Sequence, residues 1–394
     1  MAALRLRLAV YALILFTRGL ALAHAEATPG VTATEISLGS ILDLSGPMAP
    51  YGVQVKHGMQ LRVAEINREG GVNGRMLKLD IEDSASDDRL AVLALERLID
   101  HDQIFALLAT VGAPANRGVI PVLLKRNVIS FLPIASSRAT YDPPDRLKVA
   151  FMLSASEQLR TALPYLFSRH RYSRICSVVE DGDFGNEVMH ATDSAARSEG
   201  AASEHVEFAH GAADFPAIAA KLRGSSCELV VFGSTVADAV GVITESRRIG
   251  VAADFVGTAT LYSNLMHQLG GKAVEGVYAV NTVSQPYPDD ASKLVRDWTA
   301  TYRSKFAEEP SVYAVYGWVI VDLFAKAAAR AGPVLSVSSF NAALENSTFP
   351  RDMFGSPEFH VTAADRIGSH KVRVSQIANG KWVAISTLLD APQP

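Results

Sequence analysis

Cysteine is nearly missing from this chain: two in 394 residues, with no CxxC pair and no close Cys/His cluster. That excludes a disulfide-built scaffold and gives no zinc-site spacing. Positive charge is also short, with 37 Lys and Arg against 41 Asp and Glu, a net charge of -4, and no long basic block. A general nucleic-acid or anionic-membrane binder needs the opposite balance. Enzyme signatures are absent as well. There is no Gly-x-Ser-x-Gly elbow, no Gly-x-x-x-x-Gly-Lys phosphate loop, no Gly-x-Gly-x-x-Gly turn and no His-Glu-x-x-His pair. What the chain has is apolar residues, 48% of the total, enough to build a large core.

The N-terminus carries Arg5 and Arg7, then an apolar run from Leu8 to Phe16, then Ala23-His24-Ala25. A positive start, an apolar middle and a small-x-small exit describe an export signal covering residues 1–25. Arg18 interrupts the apolar stretch well short of the ~20 residues that a transmembrane anchor needs. No cysteine lies near the exit for a lipid anchor. Cleavage after Ala25 removes Arg5, Arg7 and Arg18 and no acid, so the net charge moves from -4 to -7. A periplasmic, acidic, soluble protein is expected.

Downstream, β-rich apolar stretches alternate with amphipathic ones. Strands are expected at 35–42, 77–81, 104–108 and 128–132, with helices at 52–68, 87–101 and 114–126 between them. Val55, Met59, Val63 and Ile66 mark the buried face of the first helix, and Leu90, Leu93, Leu95 and Leu98 that of the second. The same order restarts after residue 152, with strands at 174–179, 205–208, 229–232, 254–256 and 277–280. Two long helices follow at 290–306 and 312–331, the second ending at Gly332-Pro333. A final hairpin at 372–377 and 382–385 turns on Asn379-Gly380. Alternating strands and helices with short connections predict an α/β fold of two doubly wound lobes, each a parallel sheet covered on both faces. Small ligands commonly bind between such lobes.

Residues 36–40 (Ile-Ser-Leu-Gly-Ser) lead to Leu44-Ser45-Gly46-Pro47 and Tyr51-Gly52. The helix that follows exits through Asn67-Arg-Glu-Gly70-Gly71-Val-Asn-Gly74. This order resembles the branched-chain amino-acid binding proteins of ABC transporters, the type I periplasmic binding family. Val179-Glu-Asp-Gly-Asp-Phe184-Gly185, Asp214-Phe215, Leu229–Gly233 and Arg248-Ile249-Gly250 continue the resemblance through the second half. It implies two lobes joined by three crossovers near 152–155, 280–284 and 352–357. Lobe one would hold residues 26–153 plus 283–354, and lobe two 154–282 plus 355–394. A monomer that closes on a small-molecule ligand and docks on an ABC permease/ATPase complex is implied, with no cofactor and no metal. A ligand sensor of the same fold and an exported enzyme are the alternatives.

Carried over position by position, the resemblance puts Ser45, Tyr51, Gly112, Ala113, Pro114, Ala115, Ala135 and Ser136 at the lobe-one side of the cleft. On the lobe-two side it puts Phe184, Thr235, Ala259 and Thr260. The family holds an amino-acid ligand's carboxylate in lobe one with hydroxyls and backbone N–H groups, and its ammonium in lobe two with a carboxylate and a tyrosine. Here the serine-rich strand end is Val111-Gly112-Ala113-Pro114, the tyrosine is Phe184, and the acid is Ala259 or Thr260. Gly112 and Ala113 N–H groups at a helix start, with Ser136, still suit a carboxylate. A desolvated ammonium without an anion costs several kcal/mol. An apolar or aromatic carboxylic acid, or a neutral amphipathic molecule, is therefore expected in place of a free amino acid.

Arg117 and Arg138 read as solvated surface, Asp181 and Asp183 as turn residues, and Tyr313 as packing. The resemblance sets Cys176 and Cys227 on or beside neighbouring strands of lobe two. There they form either a disulfide, which the compartment permits, or two small buried apolar residues.

Overall fold

The computed structural model describes residues 28–46, 48–209 and 211–392, so the export-signal segment 1–25 lies outside the described residues. The first sheet has five parallel strands: β1 (Glu35–Leu42), β2 (Met76–Asp83), β3 (Ala106–Leu108), β4 (Ile129–Phe131) and β5 (Lys148–Val149), in the order β2-β1-β3-β4-β5. β1, β3 and β4 are buried almost throughout, as strands covered on both faces must be. Helices α1 (Ala49–Arg68), α2 (Asp88–Asp100) and α3 (Ala113–Lys125) supply the crossovers.

The buried stripe of α2 differs from expectation. Ala91, Ala94, Leu95 and Leu98 face the core, while Leu90 and Leu93 are exposed. The small alanines set the i, i+3, i+4, i+7 row, and the two leucines fall off it. The Asp87 carboxylate accepts the Arg89 and Leu90 N–H groups and fixes where this helix starts.

The second sheet opens with α4 (Ala155–Arg169), whose Ser154 and Glu157 form a reciprocal capping box. Strands β6 (Arg174–Glu180), β7 (Ala202–Phe208), β8 (Leu229–Gly233), β9 (Asp254–Gly257) and β10 (Tyr278–Asn281) run parallel in the order β7-β6-β8-β9-β10. Helices α5 (Asp183–Glu199), α6 (Phe215–Gly224) and α7 (Val236–Arg248) connect them. The expected all-parallel sheet is corrected at one edge: β11 (Lys371–Ala378) lies antiparallel to β10 and carries β12 (Lys381–Ala384) as a hairpin. Asn379 and Gly380 take φ of 54° and 71°, the left-handed pair such a two-residue turn requires.

A short helix α8 (Leu265–Gly270) precedes β10, and between β10 and β11 the chain returns to the first sheet as α9 (Lys293–Phe306), α10 (Val312–Ala331) and a helix the periodicity did not reveal, α11 (Val337–Glu345). α10 is long and apolar enough to cross a membrane, yet most of it is buried in the core. It lies tight against α1. A Cβ on Gly58 would meet the Ala314 carbonyl oxygen at 1.9 Å, and one on Gly317 the Val55 carbonyl oxygen at 2.2 Å.

Cys176 in β6 and Cys227 just before β8 form a disulfide, with Cα atoms 5.8 Å apart. The reading of two unlinked buried residues is thereby set aside. The chain passes between the sheets three times: between β5 and β6, after β10, and before β11.

Candidate functional site

Both five-strand arrays have the order 2-1-3-4-5, so each reverses direction between its first and third strands. In open α/β sheets ligands bind outside the carboxyl ends of strands near that reversal. A cavity of about 270 Å³ lies there, between the lobes.

The lobe-one wall is the turn from β3 into α3 and the segment after β4. Gly112, the N-cap of α3, has φ of 91°, and its carbonyl accepts from Asn116 Nδ2 at 2.7 Å. Asn116 also donates to Thr110 O at 3.0 Å, which pins the turn from below. The Gly112 N–H is already given to Ile134 O at 3.1 Å. The expectation that it would face an anion is therefore corrected. Because Pro114 has no N–H, the exposed end of α3 offers Ala113 instead. Ala135 and Ser136 complete this wall.

The lobe-two wall comes from the start of α5 and from the segment after β9. Phe184, Ala259 and Thr260 line it as expected. Glu187, one turn beyond Phe184, lines it too, so the expectation that lobe two offers no carboxylate is overturned. Its oxygen accepts the Ser156 N–H at 3.3 Å, at the first turn of α4. Burial, chiefly, pushes its carboxyl above the ordinary carboxylate range. Arg117 and Asp183, taken above as surface and turn residues, form an ion pair across the cleft and also line it. Both are largely exposed, so the pair adds little to stability. Tyr313, from the start of α10, Met48 and Met152 form the floor.

Four expected residues lie away from the cavity lining, among them Ala115, which is buried in the first turn of α3. The Ser45 hydroxyl donates to Asp83 at 2.7 Å. Tyr51 packs edge-on behind Tyr313, ring centroids 4.7 Å apart, and burial, then the Asp238 charge, push its hydroxyl up to about 12. Thr235 caps α7, accepting the Asp238 N–H at 3.2 Å. Gln158, which carried no sequence signal, sits directly behind the walls. It is buried, and its carboxamide bonds to Ser136, Leu153 and Ala259. The i, i+3 step from Phe184 would have pointed to Glu187 on the same helix face.

One arrangement resembles a catalytic relay: Ser177 Oγ lies 2.7 Å from His205 Nδ1, whose Nε2 lies 3.1 Å from Asp193. Ser177 is fully buried in the middle of β6, away from the cavity, so no substrate reaches it. Among the described residues, no group of three or more His, Cys, Asp or Glu is placed to hold a metal ion.

Residues 35–381 match the family model described as "Periplasmic binding protein". The Leu/Ile/Val-binding protein homolog 1 of Brucella abortus is 25% identical over 319 residues, covering 80% of this chain and 83% of that protein. A fatty acid ABC transporter substrate-binding protein from Thermomonospora curvata superposes with a TM-score of 0.82 at 19% identity, covering 92% of this chain and 94% of that one. A branched-chain amino-acid ABC transporter protein from Thermus thermophilus with bound valine gives 0.81 at 17% identity, covering 91% and 97%. The fold, the paired sheets with a cleft at their strand ends, and the family match over most of the chain agree: this chain belongs to the periplasmic binding protein family and has its type I fold.

Proposed function

We propose that this protein captures a small, mainly apolar monocarboxylate in the interlobe cleft and delivers it to an ABC importer. Solute binding for ABC transport is the family's role; the ligand class is the new part of the reading. One observation carries it. Among the described residues, the one lobe-two carboxylate lining the cavity without a cation partner is Glu187; its oxygen accepts the Ser156 N–H at the first turn of α4, and burial disfavours its charged form. A carboxyl whose charged form burial disfavours, and whose oxygen already accepts a backbone N–H, is a poor counter-ion for an ammonium. The ligand's own carboxylate then belongs at the lobe-one wall, on the Ser136 hydroxyl and the Ala113 N–H at the positive end of α3. Phe184, Tyr313, Met48 and Met152 offer apolar contact to the remainder.

In this reading residues 1–25 are removed on export, the protein acts as a monomer, and it does no chemistry on its ligand. Lobe one (26–153 plus 283–354) and lobe two (154–282 plus 355–394) close about the three crossovers. Thermal unfolding across aliphatic and aromatic monocarboxylates, with leucine, isoleucine and valine as comparators, tests the ligand class. Stabilisation by monocarboxylates and none by the amino acids is the expected result. The reverse pattern refutes it.

A further inference from the structure

Gln158 is 2% exposed, yet both amide protons and one oxygen lone pair of its carboxamide each meet a different part of the cleft. Nε2 donates to Ser136 Oγ at 2.9 Å in the lobe-one wall and to Leu153 O at 2.8 Å in the first crossover. Oε1 accepts the Ala259 N–H at 2.8 Å in the lobe-two wall. The orientation of the amide is fixed by its neighbours. Leu153 O can only accept and Ala259 N–H can only donate, so a flipped amide would set oxygen against oxygen and N–H against N–H.

This has a consequence for Ser136. A hydroxyl carries one proton and two lone pairs, and Gln158 occupies a lone pair. The Ser136 proton has no protein acceptor among the described residues, and the residue lines the cavity. Ser136 is thereby set to donate into the cleft. We propose that Gln158 is a positioning residue that ties the two walls to the crossover and fixes Ser136 as a donor, so that the closed cleft selects a hydrogen-bond acceptor such as a carboxylate at that point. The selection of a carboxylate rests on the ligand reading above; the tie between the walls does not.

Calorimetric titration with 3-phenylpropanoate and 3-phenylpropanamide separates positioning from mere packing. Gln158→Met weakens the acid at least tenfold and lowers the acid-to-amide affinity ratio at least fivefold. In a Ser136→Ala background the same change costs less than threefold, because the hydroxyl it would orient is gone. Equal losses in both backgrounds with an unchanged ratio overturn the inference. Gln158→Glu, which keeps the acceptor for Ala259 but cannot donate to Ser136, serves if the Met variant does not fold, with the same expectations for the ratio. Hydrogen exchange without any ligand decides the tie by itself. The Ala259 amide exchanges at least tenfold faster in Gln158→Met, and an unchanged rate overturns that part. If the wild type binds no acid at all, the carboxylate reading and the selection by Ser136 both fall, and the exchange rate still decides the tie.

Discussion

Glu187 is where residue-scale chemistry decides between ligand classes. Its carboxyl has a folded-state pKa above its ordinary value because burial disfavours the charged form. As the pH falls from neutral towards the carboxylate range, Glu187 gains its proton before an exposed glutamate does. A bound ligand anion raises its proton affinity further, so binding takes up protons and is favoured by falling pH. Affinity for a monocarboxylate should therefore rise as the pH drops from neutral, as long as the ligand itself stays ionised. Glu187→Gln should flatten that slope. An ammonium-bearing ligand held by Glu187 would weaken over the same range, so titrations at several pH values separate the two cases. The cleft positions Gly112–Pro114, Ala135–Ser136, Phe184 and Ala259–Thr260, which line the cavity, were legible through the family resemblance, carried over position by position. Arg117, Tyr313 and Gln158 were not. What matters in each is a partner or a cavity contributed by a distant segment, such as Asp183 for Arg117 and Ala259 for Gln158.

At the scale of elements, two joints hold the frame around the cleft. The disulfide joins β6 to the start of β8 across a sequence separation of 51. By chain-entropy reasoning, closing a loop of that length stabilises the folded protein by about 4 kcal/mol. Urea unfolding of a Cys176→Ala/Cys227→Ala variant should show a loss of that order, with the midpoint moving to lower urea. The second joint is the contact between α1 and α10, where Gly317 lets α10 approach the α1 backbone. Gly317→Ala forces the helices apart and should destabilise by about 1–3 kcal/mol, the usual cost of overpacking a tight contact. Because Tyr313 sits one turn before Gly317, the same change should weaken ligand binding, which titration of the folded variant would reveal. Most strands and helices were readable from period and turn chemistry, the Asn379-Gly380 hairpin most directly. The stripe of α2 was not, since alanines marked the core and two leucines faced solvent. Nor was the antiparallel edge, because pairing direction depends on where the chain returns.

As a whole molecule, the protein presents the carboxyl ends of two sheets to one another across a cavity, with three chain passages available as a hinge. The Tyr141 hydroxyl, from the segment between β4 and β5, donates to Glu157 of α4, and Arg117 meets Asp183 at the opposite wall. These contacts, with Gln158, bridge elements of the two lobes, so the geometry described is that of apposed walls. The central claim, a cleft that selects a carboxylate without an ammonium, is tested most directly by calorimetric titration with leucine and 4-methylpentanoate. The two share a carbon skeleton and a carboxylate and differ only in the ammonium. The account predicts that 4-methylpentanoate binds more than tenfold tighter than leucine, a difference above ~1.4 kcal/mol. Tighter binding of leucine would contradict it.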